Sequence, residues 1–328
     1  MKNIQRILLT STLLLSLLFA SPSAGFAEQS AKESAKSYWT LDKIKNAKTY
    51  EMQFDTKSKT GKRTIVRDQQ PRSPFMPGVV TGLPWTQGGI PETSTGKVFF
   101  SIGLSDYTCS GSLVAETSTS RAIILTAGHC AYEQVGIDKG YVQNWIFIPR
   151  FQNFDYAGNQ CQEIYGCWSA DTLTVDSVFS NETNFTETAT AHDWAFATIM
   201  RVPGGALPDD QISGLYPLRV GINGFVLPDW KVSYSFGYPA AGKFKGRDLY
   251  YCKGDIAEDL RNQSQTWAMR CDMTGGSSGG PWVSRYNTAD QQGLSSVNSY
   301  KYINDRKRMY GPKFTTGTQE TMNEALTK

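Results

Sequence analysis

From Lys97 onward, apolar and polar positions alternate in short runs, the period of half-buried strands and not the three-to-four spacing of an amphipathic helix. Residues 97–102, 108–114, 122–126, 145–149 and 195–200 form a first series of such runs. Residues 231–236, 249–253, 266–272, 281–284 and 294–298 form a second. Turn-forming residues separate them, so the pattern predicts an all-β body of two antiparallel β-barrels, about 97–202 and 215–314. Helical spacing returns only at 317–326, which predicts a C-terminal helix. Ahead of the strands, 31–48 is Lys-rich and leans helical, and 55–77 is rich in Lys, Arg, Thr and Pro.

Lys2 and Arg6 precede an apolar run over 7–20, and small residues then lead to Gly25-Phe26-Ala27. This order reads as a secretory leader (1–27) cut after Ala27. The run is too short to span a bilayer, and no later stretch approaches the roughly 18 apolar residues that a spanning helix needs. The chain is therefore expected to be secreted, extracellular or periplasmic, with no stable membrane anchor. Residues 28–78 are expected to be a removable propeptide that blocks a cleft or assists a slow, non-local β topology.

With 328 residues, 40% hydrophobic and 12% aromatic, the chain has the make-up of a globular protein. A net charge of +3 does not favour nucleic acid as a partner, because phosphate recognition concentrates basic residues on one face. Six cysteines in an exported chain are most simply three disulfides. Zinc is disfavoured by the lack of a paired C-x-x-C and by having only two histidines, His129 and His192. Neither a metal nor a cofactor is expected.

Three motifs carry chemistry: Thr126-Ala127-Gly128-His129-Cys130, Asp193-Trp194-Ala195 and the Gly-rich run from Gly275 to Pro281 that contains Ser277 and Ser278. A serine hydroxyl is a weak nucleophile until a neutral imidazole takes its proton, and the imidazole needs a carboxylate to set its tautomer. Together with Cys109-Ser110-Gly111-Ser112-Leu113-Val114, these motifs make the chain resemble the chymotrypsin/trypsin-like serine endopeptidases, most of all their secreted microbial branch. The resemblance runs from about Val98 to about Phe314. It implies six-stranded barrels within a protease domain at 79–328, acting on protein or peptide substrates as a monomer.

The roles follow from that resemblance. Ser278 is the expected nucleophile, His129 the general base, Asp193 its carboxylate partner, and the Gly276 and Ser278 N–H groups the oxyanion hole. Ser277 is the rival hydroxyl; Asp171 and Asp176 are the rival carboxylates. His192 is expected to be a spacer. Of the fifteen pairings possible on paper, the resemblance implies Cys109 with Cys130 beside the base; Cys161 and Cys167 can close only a small ring, and Cys252 and Cys271 flank a stretch that reads as a hairpin. Activity is expected to fall on acidification, because a protonated imidazole cannot accept the serine proton.

The chain also departs from its relatives. Digestive enzymes of the family carry an Asp directly before the nucleophile to pair with a new N-terminal amine; Ser277 cannot supply that charge. Glutamyl endopeptidases read their acidic substrate with a histidine beyond the nucleophile, and none follows His192 here, so strict Glu preference by that route is not expected. Asp272, six residues before Ser278, stands where trypsin-like enzymes carry the aspartate that selects Arg or Lys. Asn298, Ser299 and Tyr300 fall on the segment that pairs with extended substrate backbone. Asn181, Asn184 and Asn262 open N-glycosylation sequons, which matter only in a host with that machinery. The competing reading from another class is an inactive, protease-like binding or adhesion module.

Overall fold

A computed structural model of the chain describes residues 35–65, 76–151, 166–212, 214–221, 231–286 and 292–328. The proposed leader lies outside them, as does Cys161. The described chain opens with helix α1 (Leu41–Asn46), strands β1 (Glu51–Asp55), β2 (Thr60–Thr64) and β3 (Val80–Pro84), and helix α2 (Gly89–Ser94). Next come β4 (Thr95–Ile102), β5 (Ser105–Val114), β6 (Arg121–Thr126), β7 (Tyr132–Glu133), β8 (Gly140–Tyr141), β9 (Gln143–Pro149), β10 (Trp168–Ser169) and β11 (Thr172–Val175). Helix α3 (Ser177–Asn181), β12 (Phe185–Thr186), helix α4 (Glu187–Ala191) and β13 (Ala195–Met200) complete the first half. The second half holds β14 (Val232–Gly237), β15 (Tyr250–Asp255), β16 (Ala257–Glu258), β17 (Thr266–Arg270), β18 (Pro281–Ser284) and β19 (Gly293–Val297). It closes with β20 (Tyr300–Tyr302), β21 (Asp305–Pro312) and helix α5 (Thr316–Thr327).

The first lobe is a curled antiparallel sheet in the order β10-β9-β4-β5-β6-β13-β11. Its β-branched and aromatic residues suit a pleated surface that packs inward. Val98, Leu113, Ile124, Phe147 and Phe196 fill its interior with no exposed surface. The second lobe combines a five-stranded sheet, β19-β18-β14-β15-β3, with a seven-stranded one, β12-β2-β1-β20-β21-β17-β16. Trp267, Met269, Trp282 and Met309 pack there around Cys252 and Cys271. Helix α5 closes against the first lobe: Trp194 Nε1 donates to Thr321 Oγ1 at 3.2 Å and Thr198 Oγ1 to the Ala325 carbonyl at 2.9 Å.

Two features were not read from the sequence. The stretch 55–77, noted only as rich in Lys, Arg, Thr and Pro, contains β2, which pairs with β1 in a five-rung antiparallel hairpin. β1 then joins β20 in parallel, through Met52↔Tyr300, Gln53↔Lys301 and Phe54↔Tyr302, so the N-terminal segment adds strands to the antiparallel sheet of the second lobe. Met52 and Phe54 are buried, and the Phe54 ring packs on Tyr300 and Tyr302 of β20.

Candidate active site

β6 ends at Thr126, and the chain turns through a single 3-10 turn, Gly128–Cys130, that carries His129. A disulfide from Cys130 to Cys109 on β5 anchors that turn. The site's acid comes from the neighbouring strand: Asp193 precedes β13, which pairs with β6 through Ala195↔Thr126. Asp193 has no exposed surface. Its Oδ1 accepts the His129 backbone N–H at 2.8 Å, and its Oδ2 stands 2.8 Å from His129 Nδ1. A carboxylate only accepts, so the proton sits on Nδ1 and the Nε2 lone pair is left for other work. Nε2 is buried and without a hydrogen-bond partner among the described residues.

Ser278 arrives from the second lobe on a loop pinned to that turn. The Ser278 carbonyl accepts from the Ser110 N–H at 2.7 Å, one residue from Cys109. Gly279 has φ +77° and presses against Thr126 and Ala127 so closely that a Cβ would collide with them. Gly276, at φ +95°, has equally little room against the Tyr238 carbonyl. Only glycine takes such dihedrals without cost, which is why the nucleophile loop is glycine-rich. No hydrogen bond from the Gly276 or Ser278 N–H is found among the described residues.

The rivals are otherwise engaged. Ser277 Oγ donates to the Thr274 carbonyl at 2.8 Å. Asp176 caps α3, accepting from the Val178 N–H at 2.8 Å. Asp171 Oδ2 accepts from the Met200 N–H at 2.6 Å. His192 packs on Trp194 with ring centroids 5.2 Å apart, and its Nδ1 stands 3.2 Å from Asp176.

Two residues placed on the substrate segment have roles that sequence reasoning missed. Ser299 Oγ donates to Asp193 Oδ2, adding a third donor to that carboxylate and a second to that oxygen. The Asn298 side chain is buried and fully committed. Its Nδ2 donates to the Phe236 and Ser277 carbonyls at 2.9 and 3.0 Å, while Oδ1 accepts from Ser235 Oγ and Trp282 Nε1 at 2.6 and 2.8 Å. Asn298 thus holds the nucleophile loop to its barrel. An Asn can satisfy four partners only in a preformed cage, which no local motif announces.

This pairing of two lobes is shared with solved proteases. The crystal structure of protease Anisep from Arthrobacter nicotinovorans matches with a TM-score of 0.60 at 32% identity, over 76% of this chain and 100% of that one. The chain belongs to the chymotrypsin-like serine proteases. The thermostable serine protease AL20 from an extremophilic microorganism matches with a TM-score of 0.60 at 31% identity, over 72% of this chain and 98% of that one. A Glu endopeptidase matches in fold alone, with a TM-score of 0.55 at 20% identity, over 76% of this chain and 97% of that one. No family model and no curated protein matches the chain.

Unlike an open cleft, the groove of this chymotrypsin-like chain is covered by its own N-terminal segment. Tyr50 lies over the base: its hydroxyl donates to the His129 carbonyl at 2.9 Å, and a Cβ on Gly275 would strike the Tyr50 carbonyl. Burial pushes the Tyr50 phenol up to about 12, so it remains a donor at any ordinary pH. The Arg63 guanidinium sits 4.8 Å from the Tyr50 ring and bonds the Glu133 carboxylate on β7, three residues past Cys130. A cavity of about 320 Å³ between this segment and the first lobe is bordered by Met52, Arg63, His129, Tyr132 and Phe185. Farther out, Trp39 Nε1 donates to the Asn144 carbonyl at 2.6 Å and Tyr38 to Asp106 at 2.7 Å.

Asp272 is buried next to Cys271, which is bridged to Cys252. Its Oδ2 accepts from Lys243 Nζ at 3.0 Å, and its Oδ1 faces Gly82 of β3. Burial raises its pKa against the lowering effect of Lys243. Cys167 is disulfide-bonded, and the expected partner Cys161 lies outside the described residues. Among those residues no helix is long and apolar enough to cross a membrane.

Proposed function

We propose that this chain is an exported serine endopeptidase, made as a precursor, that hydrolyses peptide bonds through an acyl-enzyme on Ser278. The observation that carries the reading is the buried Asp193 gripping both the backbone and Nδ1 of His129, with Nε2 unpartnered among the described residues and the Ser278 carbonyl tied to Ser110, next to the Cys109–Cys130 bridge that anchors the His129 turn. In this reading His129 takes the hydroxyl proton as Ser278 Oγ attacks the peptide carbonyl. Asp193, itself fixed by the Ser299 hydroxyl, holds the imidazole and stabilises its charged form. The Gly276 and Ser278 N–H groups receive the oxyanion. The same imidazole returns the proton to the leaving amine, and water repeats the cycle on the ester.

The precursor reading extends to the chain's divisions: a leader at 1–27, a propeptide at 28–78 and a protease domain from 79. It is supported by the placement of β1 and β2 across the groove, while β3 pairs with β15 as part of the second barrel. Export is supported by two formed disulfides. Reaction of the processed protein with a fluorophosphonate is the test. Covalent labelling at Ser278, together with peptide hydrolysis, is expected. A folded, processed protein that neither labels nor cleaves would instead be a binding module on the protease fold.

A further inference from the structure

Ser110 lies on β5 in the first lobe, next to Cys109, and has no exposed surface. Its backbone N–H holds the Ser278 carbonyl, and its side chain makes a separate crossing between the lobes. Oγ donates to the Gly276 carbonyl at 2.8 Å and accepts the Tyr238 N–H at 2.9 Å. One buried hydroxyl of the first lobe thus bridges two segments of the second, the Ser278 loop and the chain that leaves β14. A hydroxyl can do this because it donates and accepts at once. No other donor to the Gly276 carbonyl is found among the described residues.

That carbonyl matters because of its place in the loop. A trans peptide points its C=O and N–H in opposite directions, and no cis peptide bond occurs among the described residues. The Gly275 carbonyl accepts from the Ala240 N–H at 2.9 Å, so the Gly276 N–H is turned away from Ala240. The Ser277 carbonyl accepts from Asn298 Nδ2 and from the Gly280 N–H, both at 3.0 Å, so the Ser278 N–H is turned away from Asn298. The Gly276–Ser277 peptide links these two. It is held by the Ser110 hydroxyl on its carbonyl and by the Thr274 carbonyl, 3.2 Å from the Ser277 nitrogen. Gly276, at φ +95°, has no side chain to resist rotation of that peptide. Without the hydroxyl, a buried carbonyl would lose its donor, a cost that turning the peptide relieves. Such a turn would re-aim the N–H groups on either side.

We infer that Ser110 is a positioning residue for the proposed reaction. Its hydroxyl locks the peptide between the two N–H groups assigned to the oxyanion and keeps both aimed as the tetrahedral intermediate forms. It touches neither the substrate nor the reacting atoms. Its effect falls on the transition state, because those donors count most when charge develops on the oxygen. This rests on the endopeptidase reading above.

The experiment compares the unaltered protein, made as the full chain and collected after processing, with Ser110→Ala, Ser110→Gly and Ser110→Thr. The probes are a peptide that the unaltered protein cleaves, and the aldehyde and alcohol that end at the residue before its scissile bond. The aldehyde forms a tetrahedral adduct with Ser278, whereas the alcohol only binds. Active sites are counted by fluorophosphonate labelling taken to completion, so kcat does not depend on how much of a variant folds. Removing the hydroxyl should lower kcat by about tenfold or more, short of the ~10²- to 10³-fold that deleting an oxyanion donor costs, with KM nearly unchanged. Aldehyde affinity should fall by a similar factor while alcohol affinity holds, and Ser110→Thr, which keeps the hydroxyl, should recover most of both losses. Unaltered kcat and aldehyde affinity in the Ala or Gly variant would overturn the inference. So would a raised KM with aldehyde and alcohol affinity falling together, or the absence of folded protein from both, since either makes Ser110 a requirement of the fold. These results remove this inference alone; an unaltered protein that neither labels nor cleaves removes the endopeptidase reading itself.

Discussion

Lys97 shows how much a single buried charge can dictate. Its ammonium is fully enclosed in the first lobe, donates to the Gly246 carbonyl of the second lobe at 3.1 Å and lies 4.6 Å from the Phe151 ring. Burial lowers its pKa to about 7 from the ordinary lysine value. An unfolded chain keeps that proton up to about pH 10, so between about pH 7 and 10 the unfolded state binds more protons and stability rises with pH. Denaturant unfolding across this window should show the rise, and Lys97→Met should flatten it. At the nucleophile, Ser278→Ala should lower turnover by roughly 10⁴- to 10⁶-fold with an unchanged circular dichroism spectrum. Peptide hydrolysis by the two proteins checks this, and retained activity would move the nucleophile elsewhere.

At the scale of elements, His129, the proposed base, depends on the clamp between β5 and the turn after β6. The Cys109–Cys130 bridge closes a sequence separation of 21 residues, and such a loop contributes about 3 kcal/mol by restricting the unfolded chain. Cys109→Ala/Cys130→Ala should therefore lose about that much stability in denaturant titration. It should also lose activity faster than it loses fold, because the same link positions His129. β20 is fixed in another way. Asp259 Oδ2 accepts from Tyr300, Tyr302 and Thr266 at 2.8, 2.7 and 3.2 Å, and this hub holds the strand that β1 covers.

Over the whole molecule, one contiguous piece of chain ties both lobes shut. Residues 35–65 reach β5, β7 and β9 in the first lobe and β20 in the second, with Arg63 and Glu133 as the charged latch. Breaking one partner of a partly buried ion pair leaves the other uncompensated. In the unprocessed chain, Arg63→Ala should therefore raise the rate of fluorophosphonate labelling at Ser278 by about tenfold, a release of about 1.4 kcal/mol. An unaltered rate would mean that the latch does not control access.

The barrels were legible because strand alternation and turn residues are local. The ten expected strands match β4, β5, β6, β9, β13, β14, β15, β17, β18 and β19 to within a few residues, and the predicted terminal helix is α5. The proposed triad, His129, Asp193 and Ser278, was picked from the sequence because the proposed chemistry demands those residue types, and the left-handed glycines around the serine are the special backbone such a loop needs. The placement of β1 and β2 was not legible, since Lys- and Arg-rich residues over 55–77 resemble a linker until β20 offers Met52 and Phe54 a face to cover. Nor did local sequence reveal what Asn298, Ser299 and Ser110 do. Their partners lie far away in the chain, at Phe236, Asp193 and Gly276, and only the closing of the barrels brings donor and acceptor within reach. The chain alone determined strands, turns and the chemical groups available; the tertiary fold decided which buried charges face one another, because that depends on long-range packing and on the cost of leaving a charge unpaired.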